Sequence, residues 1–273
     1  MPIGHHVAIL RDNAVMAEDS RGHDEVLHGT LTHIIHRGKY LHRTTGDWSP
    51  AIHSLLTHLE TAGFDAAPRF RGTDADGREI LTYLPGDAAT RPWPQELLAD
   101  QGVAAMAALL HSYHAAVRDF RPDTAHWQVF NRAMREDDIV VHGDIGPWNT
   151  IWRSGLPVGI IDWDLAHSGR AIEDVAQLAW YIVPMRDDAH ARLCGFDGPP
   201  DRSSRLATLC AAYGGVGHHD VVATASWLMK RELKAMRDQG RRGEEPWASF
   251  LRDDQERRVE ADLNWSLMNA GAL

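Results

Sequence analysis

At 273 residues and 44% hydrophobic, the chain is long enough to bury a large core and to divide into two parts, and no apolar run approaches the roughly eighteen residues of a membrane span. Acidic residues number 38 against 28 basic ones, a net charge of −10 that argues against nucleic acid and anionic membranes as partners and favours a cationic ligand. The opening stretch MPIGHHVAILRDNAV lacks the basic, apolar and small-residue succession of an export signal, and Cys194 and Cys210 stand at no metal or redox spacing, so a cytoplasmic protein with reduced, buried thiols is expected.

Residues 1–25 are polar and without period, a leading strand or loop. From Val26 to Arg43, β-prone pieces alternate with turns at Gly29 and at Arg37-Gly38-Lys39, the pattern of an antiparallel meander. Ser49-Pro50 reads as an N-cap followed by proline in the first turn of a helix. Ile52, Leu55, Leu56 and Leu59 form that helix's apolar stripe, and Gly63 closes it. Pro68 to Leu84 reads as two strands about a turn at Asp74-Ala75-Asp76-Gly77, and Pro85-Gly86 ends the β-rich part. After Pro92-Trp93-Pro94 the period changes. Leu97, Val103, Met106, Leu109, Leu110, Tyr113 and Val117 predict one long amphipathic helix ending before Arg121-Pro122.

Between two helical stretches lies IVVHGDIGPWNTIWRSGLPVGIIDWD, residues 139–164. Ile139-Val140-Val141 predicts a buried strand broken by His142-Gly143-Asp144. Gly146 and Pro147 bend the loop so that Asp144 and Asn149 can share one side. Ile151-Trp152 and Val158 to Ile161 predict a hairpin about Ser154-Gly155, which returns Asp162 and Asp164 to that loop. A carboxylate, a carboxamide and a carboxylate are hard oxygen donors of the kind that suits Mg²⁺, which completes its octahedron with water and substrate phosphates. Downstream, Ile172, Val175, Leu178, Ala179 and Ile182 mark a helix after Ser168-Gly169, and three more follow near 202–213, 219–239 and 247–269. The seventeen histidines include the pairs His33/His36 and His111/His114, but no third ligand stands at a metal spacing, and solvent or packing roles are expected for them.

His142-Gly143-Asp144 with Asn149, followed by Ile161-Asp162-Trp163-Asp164, resembles the H-G-D-x-x-x-x-N loop and I-D-W-D motif of the aminoglycoside phosphotransferase (antibiotic kinase) family, of the protein-kinase-like superfamily. The resemblance implies an α+β, bilobal protein-kinase-like fold: a small N-terminal β-rich nucleotide-binding lobe over 1–86 and a large, mainly helical C-terminal lobe over 87–273, carrying catalysis and the acceptor. It implies transfer of the γ-phosphoryl group of ATP or GTP, with Mg²⁺, to a hydroxyl of a small and in some relatives cationic molecule. Asp144 would be the catalytic base, Asn149 and Asp162 the metal ligands, His142 a structural loop residue, and Asp164 a brace. Arg43 stands where this superfamily has a phosphate-binding lysine, and the backbone of Thr82 to Leu84 would meet the base. Asp174 resembles the acid that braces the catalytic loop.

Two departures stand out. The phosphate-covering loop near His28-Gly29-Thr30 holds one glycine, and the first helix carries His53 where a glutamate would pair with the phosphate-binding cation; Glu60 lies too near its end. The acceptor is an aminoglycoside or another antibiotic on this reading, with choline or an aminosugar as the alternative. A non-catalytic nucleotide-binding protein of kinase shape is a further alternative, and a metal-dependent hydrolase the most distant.

Overall fold

The computed structural model describes residues 25–28, 33–122 and 126–273. The leading segment and the Gly29-Thr30 part of the expected phosphate loop lie outside them. The described residues fall into two compact units, one of 25–28, 33–90, 112–122 and 126–170, the other of 91–111 and 171–273. No helix among them is long and apolar enough to cross a membrane.

The first unit is built on an antiparallel sheet of β1 (Glu25–His28), β2 (His33–Arg37), β3 (Tyr40–Arg43), β4 (Phe70–Thr73) and β5 (Glu79–Thr82), in the order β1-β2-β3-β5-β4. Helix α1 (Ser49–Thr61) buries its leucine stripe completely, Leu55, Leu56 and Leu59 having no exposed surface. Truncating any one of them would cost about 2–5 kcal/mol. The helix starts as predicted, but Ser49 is not its cap: Trp48 takes that place without a side-chain bond, and the Ser49 hydroxyl turns back to accept from the Gly46 amide at 2.9 Å. A hydroxyl one residue inside the helix reaches the preceding turn more readily than the orphan amides ahead of it.

A second sheet joins β6 (Asp87–Ala88) to the hairpin β8 (Thr150–Arg153) and β9 (Leu156–Ile160), in the order β6-β8-β9. The two-residue turn Ser154-Gly155 has φ of 51° and 79°, the left-handed pair that matches the twist of a tight hairpin. A third pairing sets β7 (Ile139–Val141) antiparallel to β10 (His167–Gly169). The end of the long helix anchors this part from below, since the Tyr113 hydroxyl donates to Val140 O at 2.6 Å and its ring meets Trp163 edge-on at 4.9 Å.

The second unit is helical. Helix α4 (Ala171–Ile182) is buried along nearly its whole length and packs against α7 (His218–Asp238), which packs in turn on α9 (Gln255–Asn269). Trp180 donates to Asp262 at 3.0 Å, and Arg231 pairs with Glu173 at 2.6 Å. Arg205, on α6 (Arg202–Tyr213), closes helix ends, donating to the carbonyls of Ile182, Leu97 and Leu98 at 2.7–3.0 Å. A buried cation at carbonyls left open by helix C-termini satisfies both the hydrogen bonds and the helix dipoles.

Two predicted helices are each two. The stretch expected to run unbroken from Leu97 to Val117 divides into α2 (Gln95–Leu98) and α3 (Asp100–Ala116), because Ala99 is extended at φ −91°, ψ 159°. The last divides into α8 (Trp247–Arg252) and α9 at Asp254, whose φ of 61° takes the backbone left-handed. A short helix, α5 (Asp188–Cys194), is capped by Asp187, whose carboxylate accepts from the His190 amide at 2.8 Å.

Candidate active site

The HGD loop leaves β7 with a conformation open to glycine. Gly143 has φ of 76°, and a Cβ there would lie 2.3 Å from Leu165 O and 2.8 Å from His167 Nδ1. Any side chain would push the loop off the segment that follows Asp162. His142 fastens the two motifs together: its Nδ1 accepts from the Asp144 amide at 3.2 Å, while its Nε2, which those partners make the protonated nitrogen, donates to Ile161 O at 3.0 Å. Both ring nitrogens are thus used in holding backbone, which leaves none to act as a base.

Asp144 is nearly buried. Asn149, at the end of a 3₁₀ turn over Pro147–Asn149, donates its one amide group both to Asp144 O at 2.9 Å and to Asp144 Oδ2 at 2.8 Å. That leaves Asn149 Oδ1 buried without a hydrogen-bond partner. The Ile161 amide donates to Asn149 O at 2.9 Å, so the backbone carrying Asp162 runs alongside. Asp162 is itself held at φ 62°, and burial, followed by the Asp164 charge, pushes its carboxyl up to about 6 against the pull of Arg43.

These residues fit a hard cation. An orphaned carboxamide oxygen and a carboxylate whose charge is unfavourable as it stands are donors that a divalent ion would satisfy. Among the described residues no group of three or more His, Cys, Asp or Glu side chains is gathered for a metal. A cation bound here would draw on few protein ligands, as Mg²⁺ commonly does beside phosphates.

Arg43 is the centre of charge. Its side chain is 7% exposed and meets three carboxylates: Glu79 Oε1, 2.8 Å from Nε and 2.7 Å from Nη2; Asp164, 2.8 Å from Nη2; and Asp162, 3.3 Å from Nη1. Burial works to lower its pKa, but Asp164, Glu79 and Asp162 outweigh that and hold it above its ordinary value. Glu79 faces it directly across the sheet, β3 and β5 pairing Arg43 with Glu79, and its second oxygen lies 2.8 Å from His53 Nε2 on α1. Burial works to raise Glu79, yet Arg43 and His53 leave it below the usual carboxylate range.

Arg43 and Asp162 line one cavity with Ile34, Leu41, Leu81, Thr82, Tyr83, Leu84, Ala88, Ile151 and Ile161. At its edge the Thr82 amide is bonded to Arg69 O at 3.0 Å and the Tyr83 amide to Lys39 O at 2.9 Å. Leu84 forms no backbone hydrogen bond among the described residues, so of the expected base-contacting stretch it has both main-chain groups open. The apolar lining beside an arginine and a carboxylate has the character of a site for a flat ring with a charged tail.

The structure therefore brings together Arg43, Asp162, Thr82 and Leu84 around one cavity and joins Asp144 to Asn149 by hydrogen bonds. The residue that the sequence argument missed is Glu79. Its signal was present, a glutamate ahead of Ile80 and Leu81 in a strand that follows a turn, but its meaning depends on cross-strand register. Asp164, expected as a brace, acts by gripping Arg43.

A family model described as "Phosphotransferase enzyme family" matches residues 116–207. The trifolitoxin immunity protein of Rhizobium leguminosarum bv. trifolii is 36% identical over 192 residues, covering 68% of this chain and 72% of its own. Among solved structures, an amicoumacin kinase bound to AMP-PNP and Ca²⁺ superposes with a TM-score of 0.57 at 12% identity, over 77% of this chain and 78% of that one. An ethanolamine kinase of Plasmodium vivax gives 0.59 at 11% identity, over 91% and 83%. Likenesses at this identity speak for the fold, which is α+β and protein-kinase-like, with a small antiparallel-sheet lobe and a helical lobe. The chain belongs to the aminoglycoside phosphotransferase family of phosphotransferase enzymes.

Proposed function

We propose that the protein is a small-molecule kinase that transfers the γ-phosphoryl group of ATP or GTP to a hydroxyl of its acceptor. The observation that carries this reading is the Asp144–Asn149 pair: one amide group orients the carboxylate at 2.8 Å and leaves the carboxamide oxygen buried and unpartnered. A protein that merely held nucleotide would have no use for an oriented carboxylate beside such an oxygen. On this reading residues 1–86 form the nucleotide lobe and 87–273 the catalytic and acceptor lobe.

Asp144 accepts the proton of the attacking hydroxyl or orients it, and its carboxylate is kept in one rotamer by Asn149. Asn149 Oδ1 and Asp162 would hold Mg²⁺, which when bound neutralises phosphate charge. Arg43 lies at the cavity wall with its guanidinium plane fixed, ready to meet phosphate oxygens from the Nη1 edge. Leu84 offers its amide and carbonyl to the base, with Thr82 holding the strand in register.

For the acceptor, the likeness to a protein named for immunity to trifolitoxin favours an antibiotic over a metabolite such as choline or an aminosugar. The test is Mg²⁺-dependent consumption of ATP and of GTP across a panel of aminoglycosides, peptide and macrolide antibiotics, choline and aminosugars. Acceptor-stimulated turnover should fall roughly 10³-fold in Asp144→Ala while nucleotide binding stays. Turnover preserved in that variant sinks the reading, and nucleotide bound without turnover on any acceptor leaves a non-catalytic binding protein.

A further inference from the structure

Helix α1 carries a single carboxylate, Glu60, and that one is bonded to Arg71 at 2.7 and 2.8 Å on the surface. What the helix turns toward Arg43 instead is His53, stacked on Phe70 with ring centroids 3.7 Å apart. Between the two lies Glu79, 1% exposed, with one oxygen on Arg43 and the other on His53. We propose that Glu79 is the positioning residue that aims Arg43 at the nucleotide phosphates, and that His53 is the helix's hold on Glu79. The acid sits on the strand and its partner on the helix.

The geometry gives the reason. Glu79 grips the Nε and Nη2 side of the guanidinium, the side away from Asp162, and so fixes its plane. Asp162 meets Nη1 at 3.3 Å, the longest of the four contacts. When Asp162 turns to a cation, a guanidinium without Glu79 would keep only the Asp164 contact at Nη2 and could pivot about it. With Glu79 in place the Nη1 edge stays at the cavity wall as the Asp162 contact is given up. His53 completes the restraint because a carboxylate whose second oxygen is also bonded cannot swing.

The inference rests on the kinase reading, and its test separates the two. Binding of ATP or GTP and of the matching nucleoside is measured by calorimetry for wild type, Glu79→Gln, His53→Phe, Arg43→Met and the Arg43→Met/Glu79→Gln double variant, each with its Tm. Glu79→Gln should weaken the triphosphate about tenfold, the worth of one charge-assisted hydrogen bond, while leaving the nucleoside unchanged. His53→Phe keeps the stack on Phe70 and removes the donor, and should show the same selective loss to a smaller degree. In the Arg43→Met background the glutamine should add no further loss, since the path to the phosphates is already cut. Wild type that binds neither triphosphate overturns the kinase reading and this inference with it. Wild type that binds, with Glu79→Gln unchanged, or weakened equally toward the nucleoside, or still weakened in the Arg43→Met background, overturns this inference alone.

Discussion

Arg43 and Arg205 are both buried arginines, one in each compact unit, and they are satisfied in opposite ways. Arg205 donates only to carbonyls, those of Ile182, Leu97 and Leu98, and lies over the Phe196 ring at 5.0 Å. With no carboxylate on it, burial lowers its pKa to about 10. Arg43 meets three carboxylates, two of them from the motif that follows the hairpin. Carbonyl dipoles at helix ends close a structure and ask for nothing further. Three carboxylates around one cation leave the group as a whole negative, an arrangement that another cation could complete. The difference separates an arginine that closes a structure from one that lines a cavity, and it can be broken from either side.

The larger effect is expected at Arg205. Arg205→Met preserves bulk but leaves the buried carbonyls of Leu97 and Ile182 and the half-buried one of Leu98 without this donor, at about 1–3 kcal/mol for each buried group, so a loss of about 4 kcal/mol and a fall of roughly 10 °C in Tm are expected. Carbonyls do not titrate. The loss should therefore be the same at pH 5 and pH 8, and an unchanged Tm would show that water replaces the guanidinium.

Arg43→Met should cost about 3 kcal/mol at pH 7, because it strands the buried Glu79. Here the loss depends on pH, and the sign follows from Glu79. In the native protein its pKa is below the ordinary value, so its contribution is present above the unfolded pKa and lost as pH falls through the folded one. Without the arginine, burial dominates and raises it, so the variant loses stability as pH rises instead. The gap between the two proteins should be widest at neutral pH and narrow toward pH 4. Denaturant midpoints across that range check it, and a constant gap would mean that Arg43 acts by packing alone.

How much of this was legible follows the same division. The two motifs and the hairpin between them are local, and their spacing alone placed Asp144, Asn149 and Asp162 in neighbouring segments. The α1 stripe is local too, and its leucines are the core. Glu79 was illegible because it lies 36 residues from Arg43 and becomes its partner only through the register of β3 against β5. Its absence from the helix could be read, while its replacement on the strand could not. The break at Ala99 was hidden for a different reason: apolar residues recur on schedule on both sides of it, so one extended residue leaves no trace in the period. Asp254 hides the same way, since aspartate adopts the left-handed conformation without the glycine that would announce it.

Glu232 offers the mildest test, because it reverses the arrangement at Arg43. It lies near Arg231 and Arg186 yet its carboxylate forms no hydrogen bond among the described residues, and burial pushes that carboxyl up to about 7 against the pull of both arginines. A carboxyl raised in the folded state binds its proton more tightly there than in the unfolded chain, so it draws stability down as pH climbs from its ordinary value of 4.5 through about 7. Glu232→Gln fixes the neutral form. It should match wild type near pH 5 and gain about 1 kcal/mol by pH 8, a figure held low because the side chain is partly open to solvent, which screens it. Thermal melts of both proteins at the two pH values decide it. A variant less stable than wild type at pH 8 would mean that the arginines hold Glu232 ionised, and that proximity to cations suffices there without the hydrogen bonds that join the carboxylates to Arg43.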